Sequence, residues 1–271
     1  MNKQEFIDKA SSFTYKDSDN PIVKEIIENG ISIQRDFFKQ KDYSEVIKFS
    51  KYVEESIKLD GSGYIYNVDG YPYLDKQLDS QNKLYNDGQI RLQSKTVGMI
   101  PGTELLVRDS RILSVFHGIY HNYLCIDRQT LEWIIPAEIN HNPWHIDSPL
   151  DELKAMILLS PVDKTDAPLY YAIGSHNYRT DIEKEIKYRM YSRGYEVNPN
   201  TKKHYGYLEK EETEKVLKDY TIVEGTGQPG DVIFFLTNGF HSGNKSTGRI
   251  RKDIVMSTTI GITEKNKALR K

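Results

Sequence analysis

Two side chains able to bind a metal stand two residues apart in Asn142-Pro-Trp-His-Ile-Asp-Ser-Pro149: His145 and Asp147. In an extended strand, residues i and i+2 emerge on one face, so this imidazole and this carboxylate can approach one point. The tripeptide alone decides little, because a chain of this length with seven histidines yields roughly half an H-x-D match by chance. A third candidate is His241, in FFLTNGFHSGNKSTGRIRKDIVMSTT, where an apolar strand ends before a Gly- and Ser-rich loop. Two imidazoles and one carboxylate form the facial triad of an octahedral metal and leave three positions open, as oxygen chemistry on ferrous iron requires. The simpler alternative is a structural His145–Asp147 pair with His241 as an ordinary loop residue.

Ten residues after His241 comes Arg251. A cosubstrate chelating iron through one end of a dicarboxylate leaves its other carboxylate to a guanidinium, which holds it with two parallel hydrogen bonds. Period-two counting puts Arg249, Arg251, Val255, Ser257 and Thr259 on one face, so parity does not separate Arg249 from Arg251. The opposite face, Ile250, Ile254, Met256 and Ile260, is apolar enough to bury against helices. Other motifs carry less. Gly225-Thr-Gly-Gln-Pro-Gly230 matches the dinucleotide pattern in letters, but the strand DVIFFL follows where a helix is required. His117 and His121, like His141 and His145, are four apart without the glutamate of H-E-x-x-H, and HGIYH reads as strand and loop. Ser175 and His176 are strand neighbours that point to opposite faces, which excludes a direct nucleophile-base relay.

Elements of two kinds must position these groups. Residues 1–60 read as a helical lead: in DYSEVIKFSKYVEESIK, Val46, Phe49, Val53 and Ile57 recur at helical spacing behind a capping pair, Asp42 and Glu45. From residue 61, turn residues alternate with short runs, TELLV, YLCI, LEWII, KAMILL, LYYAI and DVIFFL, which read as strands. Many short strands without regular strand-helix alternation predict a mainly β, antiparallel sandwich or barrel with flanking α-helices. Strand, loop, strand around His241 suggests a hairpin. Residues 177–220, with TDIEKEIKYRMYSRGY and EKEETEKVLKDY, read as a helical insertion or lid between core segments 61–176 and 221–262, all in one domain.

The composition bounds the function. A net charge of −2 with interspersed signs offers no footprint for nucleic acid. The single cysteine, Cys125, forms no internal disulfide, and neither a signal peptide nor a membrane-spanning run is legible, so a cytoplasmic protein acting on a small molecule is expected. The nineteen tyrosines suit pockets for polar organic molecules, with Tyr188, Tyr191 and Tyr205 as candidate lining.

The ordered set WHID, APLYYAIGSH, PGDVIFF and HSGNKSTGRIRK, over roughly residues 140–260, resembles the phytanoyl-CoA dioxygenase family of Fe(II)/2-oxoglutarate-dependent oxygenases. Ala167 and Ile173 depart from the family's glycine and proline, and the loop to the arginine differs slightly in length. The resemblance implies a double-stranded β-helix, the cupin-like jelly roll, with Fe(II) held by His145, Asp147 and His241. It further implies 2-oxoglutarate anchored by Arg251, with Arg249 kept open and Lys154 as a second cosubstrate contact, and O2 as oxidant. An aspartate at 147 fills the position that related halogenases leave small for halide, and so favours hydroxylation. The alternatives are a non-catalytic cupin-like binding module and a metal enzyme on this scaffold that works without 2-oxoglutarate.

Overall fold

A computed structural model describes residues 1–12, 15–56, 89–94, 100–121, 126, 128–136, 143–243 and 246–258. The chain opens with helices α1 (Lys3–Ser12) and α2 (Pro21–Asn29) and strand β1 (Ile31–Gln34), followed by α3 (Gln40–Ser56) and β2 (Gln89–Ser94). Helices α4 (Thr103–Val107) and α5 (Ser110–Tyr120) precede strands β3 (Arg128–Ile134), β4 (Leu153–Leu158) and β5 (Tyr170–Ala172). Helices α6 (Asp181–Arg193) and α7 (Lys210–Asp219) then lead to β6 (Ile222–Glu224), β7 (Val232–Leu236), β8 (His241–Ser242) and β9 (Arg251–Ser257).

Local chemistry sets the boundaries. Asn20 accepts from the Ile22 N–H at the start of α2 with Pro21 in its first turn, and Gly30, at φ 81°, closes the helix with its N–H on Ile26. Thr180 and Glu183 form a reciprocal capping box on α6. On α3, Asp42 accepts from the Lys39 N–H, so the helix starts before the aspartate that the sequence suggested as its first cap.

The strands form two antiparallel sheets. One has the order β1-β7-β4-β9-β3-β2 and the other β6-β5-β8, the two-sheet arrangement of a jelly roll. The register alternates residues between two faces. Leu92, Leu131, Trp133, Leu153, Ala155, Ile157, Phe234, Ile254 and Met256 turn outward to a core shared with α2 to α5, where Val46, Phe49 and Val53 of α3 are buried. Each buried leucine, isoleucine, phenylalanine or methionine among them contributes roughly 1.5–3 kcal/mol of transfer free energy. The other face looks into the space between the sheets, where Met156, Leu158, Ile233, Phe235 and Val255 meet Leu169 and Tyr171. The apolar set Ile254 and Met256 therefore buries against helices as its period-two pattern indicated.

Several expectations are corrected. ISIQ, within the helical lead, is strand β1, because its alternating residues extend the sheet edge on β7. TELLV is helix α4, and HGIYH ends helix α5 with His121 as its left-handed C-cap; tertiary packing of Leu106, Val107, Phe116 and Ile119 on the sheet overrides their strand propensity. The strands flanking His241 are no hairpin: β7 and β9 each pair with β4, and β8 crosses to the other sheet. Ile57, the run GSGYIYNVDGYPYL, most of YLCI, His141, Thr259 and Ile260 lie outside the described residues. Among the described residues no helix is long and apolar enough to cross a membrane.

Candidate metal centre

His145 sits in a segment flanked by two others. Its backbone exchanges both hydrogen bonds with His241 of β8, at 2.9 Å each, and it forms an antiparallel bridge to Tyr207 on its other side. Asp147, two residues on, is fixed by its N–H on the Thr237 carbonyl at 3.0 Å. Backbone pairing therefore fixes all three donors before any ion arrives. One ligand atom from each of His145, Asp147 and His241 lies within 4.8 Å of the others, and they are the only such trio of His, Cys, Asp or Glu among the described residues. His145 Nε2 is 3.4 Å from Asp147 Oδ1, and His241 Nε2 is 3.3 Å from Asp147 Oδ2.

The protonation chemistry fits a divalent cation. Each imidazole binds a backbone carbonyl through Nδ1, His145 that of Pro143 at 2.7 Å and His241 that of Gly239 at 2.8 Å. A carbonyl only accepts, so Nδ1 of each ring carries a proton and Nε2 is the ring atom turned toward the carboxylate. Burial, then the neighbouring His241, pushes the pKa of His145 down to about 4. Burial works against the charged form of Asp147, but Lys154 and then His241 hold it well below the ordinary carboxylate range. A neutral His145, an ionised Asp147 and the Nε2 of His241 are a donor set suited to a hard-to-borderline divalent ion.

The other candidates separate. Lys154 projects inward from β4, and its Nζ lies 2.8 Å from Asp147 Oδ2, so it contacts the metal-site carboxylate itself. Arg251, at the start of β9, is buried; its Nε donates to Asp253 Oδ2 at 2.7 Å and its Nη1 to the Ala167 carbonyl. Arg249 precedes the strand with its side chain 57% exposed, and it grips Asp166 and Asp163 from the surface. The parity that left the two arginines equivalent is broken because only Arg251 belongs to the strand.

Segment 195–207 lies against these side chains through residues the sequence did not single out. The Tyr207 ring stacks on His145 at 4.6 Å and 13°, the Tyr195 hydroxyl donates to the Asp147 carbonyl at 3.1 Å, and His204 stands edge-on to both tyrosines. Gly206 is required there: a Cβ would fall 2.4 Å from the Ile146 carbonyl. By contrast, Tyr188 and Tyr191 pack on Phe6 of α1, and Arg193 lies over Tyr205. Lys187 of α6 is fully buried and donates to the Ser175 and Asn177 carbonyls, tying the insertion to the turn beside His241, where Ser175 Oγ accepts from the Phe240 N–H. Neither Ser175 nor His176 bonds the other; His176 Nε2 is on the Ile27 carbonyl.

Solved structures share this architecture. EctD from S. alaskensis with bound Fe is 17% identical, with a TM-score of 0.59 over 94% of this chain and 83% of that one. AviO1 from Streptomyces viridochromogenes Tue57 is 16% identical, with a TM-score of 0.54 over 87% of this chain and 92% of that one. The non-heme alpha ketoglutarate dependent carbocyclase SnoK from nogalamycin biosynthesis is 15% identical, with a TM-score of 0.56 over 90% and 85%. The fold is theirs. No protein-family model matches the chain, and no curated protein matches it, so the phytanoyl-CoA dioxygenase resemblance stays with the four motifs.

Proposed function

We propose that this chain is a Fe(II)/2-oxoglutarate-dependent oxygenase that hydroxylates an aliphatic carbon of a small or medium-sized organic molecule. The observation that carries this reading is the convergence of His145 Nε2, Asp147 and His241 Nε2 within 4.8 Å, with Nδ1 of each imidazole held on a backbone carbonyl. The same fold holds iron in EctD, which is also solved with 2-oxoglutarate and 5-hydroxyectoine, and it serves a carbocyclase and an epimerase in SnoK and SnoN. The hydroxylation outcome is therefore part of the proposal, supported by the carboxylate that fills position 147.

A ferrous ion with 2-oxoglutarate supplies the power to use O2 for hydroxylation, with succinate and carbon dioxide as co-products. The chain's own part is positioning and exclusion of water. His145, Asp147 and His241 would hold the ion and leave the remaining positions open. Lys154 holds Oδ2 of Asp147, the oxygen that also faces His241 Nε2, and Arg251 is a buried cation for the cosubstrate's distal carboxylate. Tyr195, His204 and Tyr207 wall the side from which an organic substrate would approach.

A metal centre that works without 2-oxoglutarate is the second reading, favoured by one observation: Arg251 already has a carboxylate partner in Asp253. Succinate formation from 2-oxoglutarate with ferrous iron separates the two across a substrate panel. His145→Ala is expected to weaken metal binding by at least about 100-fold, since losing even an outer partner of a ligand costs about 10–100-fold. Full metal occupancy in that variant would remove the ligand assignment.

A further inference from the structure

We propose that Asp253 competes with the cosubstrate for Arg251, so that a dicarboxylate enters this barrel only together with one proton. The proposal deepens the reading above and rests on it. Residues i and i+2 of β9 share the inward face, so the arginine suited to anchor an anion has a carboxylate beside it on the same wall. The two are bonded at 2.7 Å, with side chains 5% and 0% exposed.

The surroundings bear on which protonation state Asp253 adopts. Across β3, register places Glu132 opposite it, and beyond that Arg91 of β2 pairs with Glu132 at 2.9 Å. On β4 the opposite residue is Leu158, which carries no charge. From the facing side, Arg251 meets the Ala167 carbonyl. Arg91, Glu132 and Asp253 thus lie in one row across β2, β3 and β9 with Arg251 two residues along β9, and a dianionic ligand bound at Arg251 meets Asp253 as a like charge. Asp253 Oδ1 is buried with no hydrogen-bond partner among the described residues. Burial, against the pull of Arg251 and with the repulsion of Glu132, raises the Asp253 pKa to about 6, so protonation near neutral pH is accessible.

The step balances without any redox partner. A solvent proton converts the Asp253 carboxylate to a carboxylic acid, the charge-assisted bond to Arg251 weakens, and the guanidinium turns to the incoming carboxylate with two parallel hydrogen bonds. The new acid O–H can donate to the same ligand.

The test is calorimetric titration of 2-oxoglutarate into Mn(II)-loaded protein between pH 6 and 8, in two buffers of different ionisation enthalpy. Wild type is expected to take up as much as one proton per ligand, with Kd rising up to about tenfold per pH unit above about 6. Asp253→Asn should bind with no proton uptake, a flat pH profile and, at pH 8, a Kd at least tenfold lower than wild type. Buffer-independent heats in wild type would overturn the proposal without needing any variant, and so would weaker binding by Asp253→Asn with an unchanged pH slope. If Arg251→Ala keeps proton-linked binding, the competition is not for Arg251 and the proposal fails. Metal-loaded wild type that binds no 2-oxoglutarate at any pH overturns the proposed function itself, and this proposal with it.

Discussion

Replacing Lys187 with methionine tests how firmly α6 is tied to the turn beside His241. Lys187 is 0% exposed; its Nζ donates to the Ser175 carbonyl at 2.8 Å and to the Asn177 carbonyl, and lies 4.5 Å from the centre of the Tyr178 ring. Methionine keeps most of the stem volume and removes the three donors and the charge. The two carbonyls each lose a charge-assisted bond, worth about 1.5–3 kcal/mol, and the ring contact adds roughly 0.5–2 kcal/mol. Against this stands relief of the ammonium's desolvation, several kcal/mol. Set against one another, these contributions leave a net loss of about 2–4 kcal/mol. At roughly 2–4 °C per kcal/mol for a chain near this size, Tm should fall by about 4–16 °C. The assay is calorimetric melting of metal-free Lys187→Met beside Lys184→Met, whose side chain is 29% exposed and 3.9 Å from Asp181, and which should stay within about 0.5 kcal/mol of wild type. Equal melting of the two variants, or a more stable Lys187→Met, would refute the reasoning.

Two further predictions follow from the site. His145, whose pKa is lowered from 6.5 to about 4, takes a proton more readily unfolded than folded between those values, so metal-free protein should lose stability as pH falls through that window. The loss should reach about 3 kcal/mol, at roughly 1.4 kcal/mol for each pH unit that separates the folded and unfolded values, and urea titrations at pH 7 and pH 4 check it; a flat profile contradicts a buried neutral imidazole. Gly206→Ala places a methyl group 2.4 Å from the Ile146 carbonyl, in a backbone contact that no side-chain rotation relieves. The 204–207 segment should then separate from the His145 strand, seen as faster amide exchange at Ile146, whose N–H bonds the Gly206 carbonyl at 3.0 Å.

The sequence alone made legible those features that depend on near neighbours along the chain. Period-two alternation in IRKDIVMS assigned Ile254 and Met256 to the helix-facing side because a strand's side-chain period is fixed by covalent geometry. The spacing of His145 and Asp147 brought two donors to one side for the same reason, and the charged run TDIEKEIKYRMYSRGY read as a helix because helix propensity is local. Tertiary structure decided whatever depends on groups distant along the chain. TELLV could be strand or helix until the sheet gave its apolar side a surface, and Arg249 and Arg251 were equivalent until Asp166 captured one and the barrel buried the other. Asp253 beside Arg251 was visible as letters, but its charge matters only because folding removes the water around it and brings Glu132 across from another strand. Likewise Tyr195, His204 and Tyr207 come together beside His145 along a chain path that no spacing rule encodes.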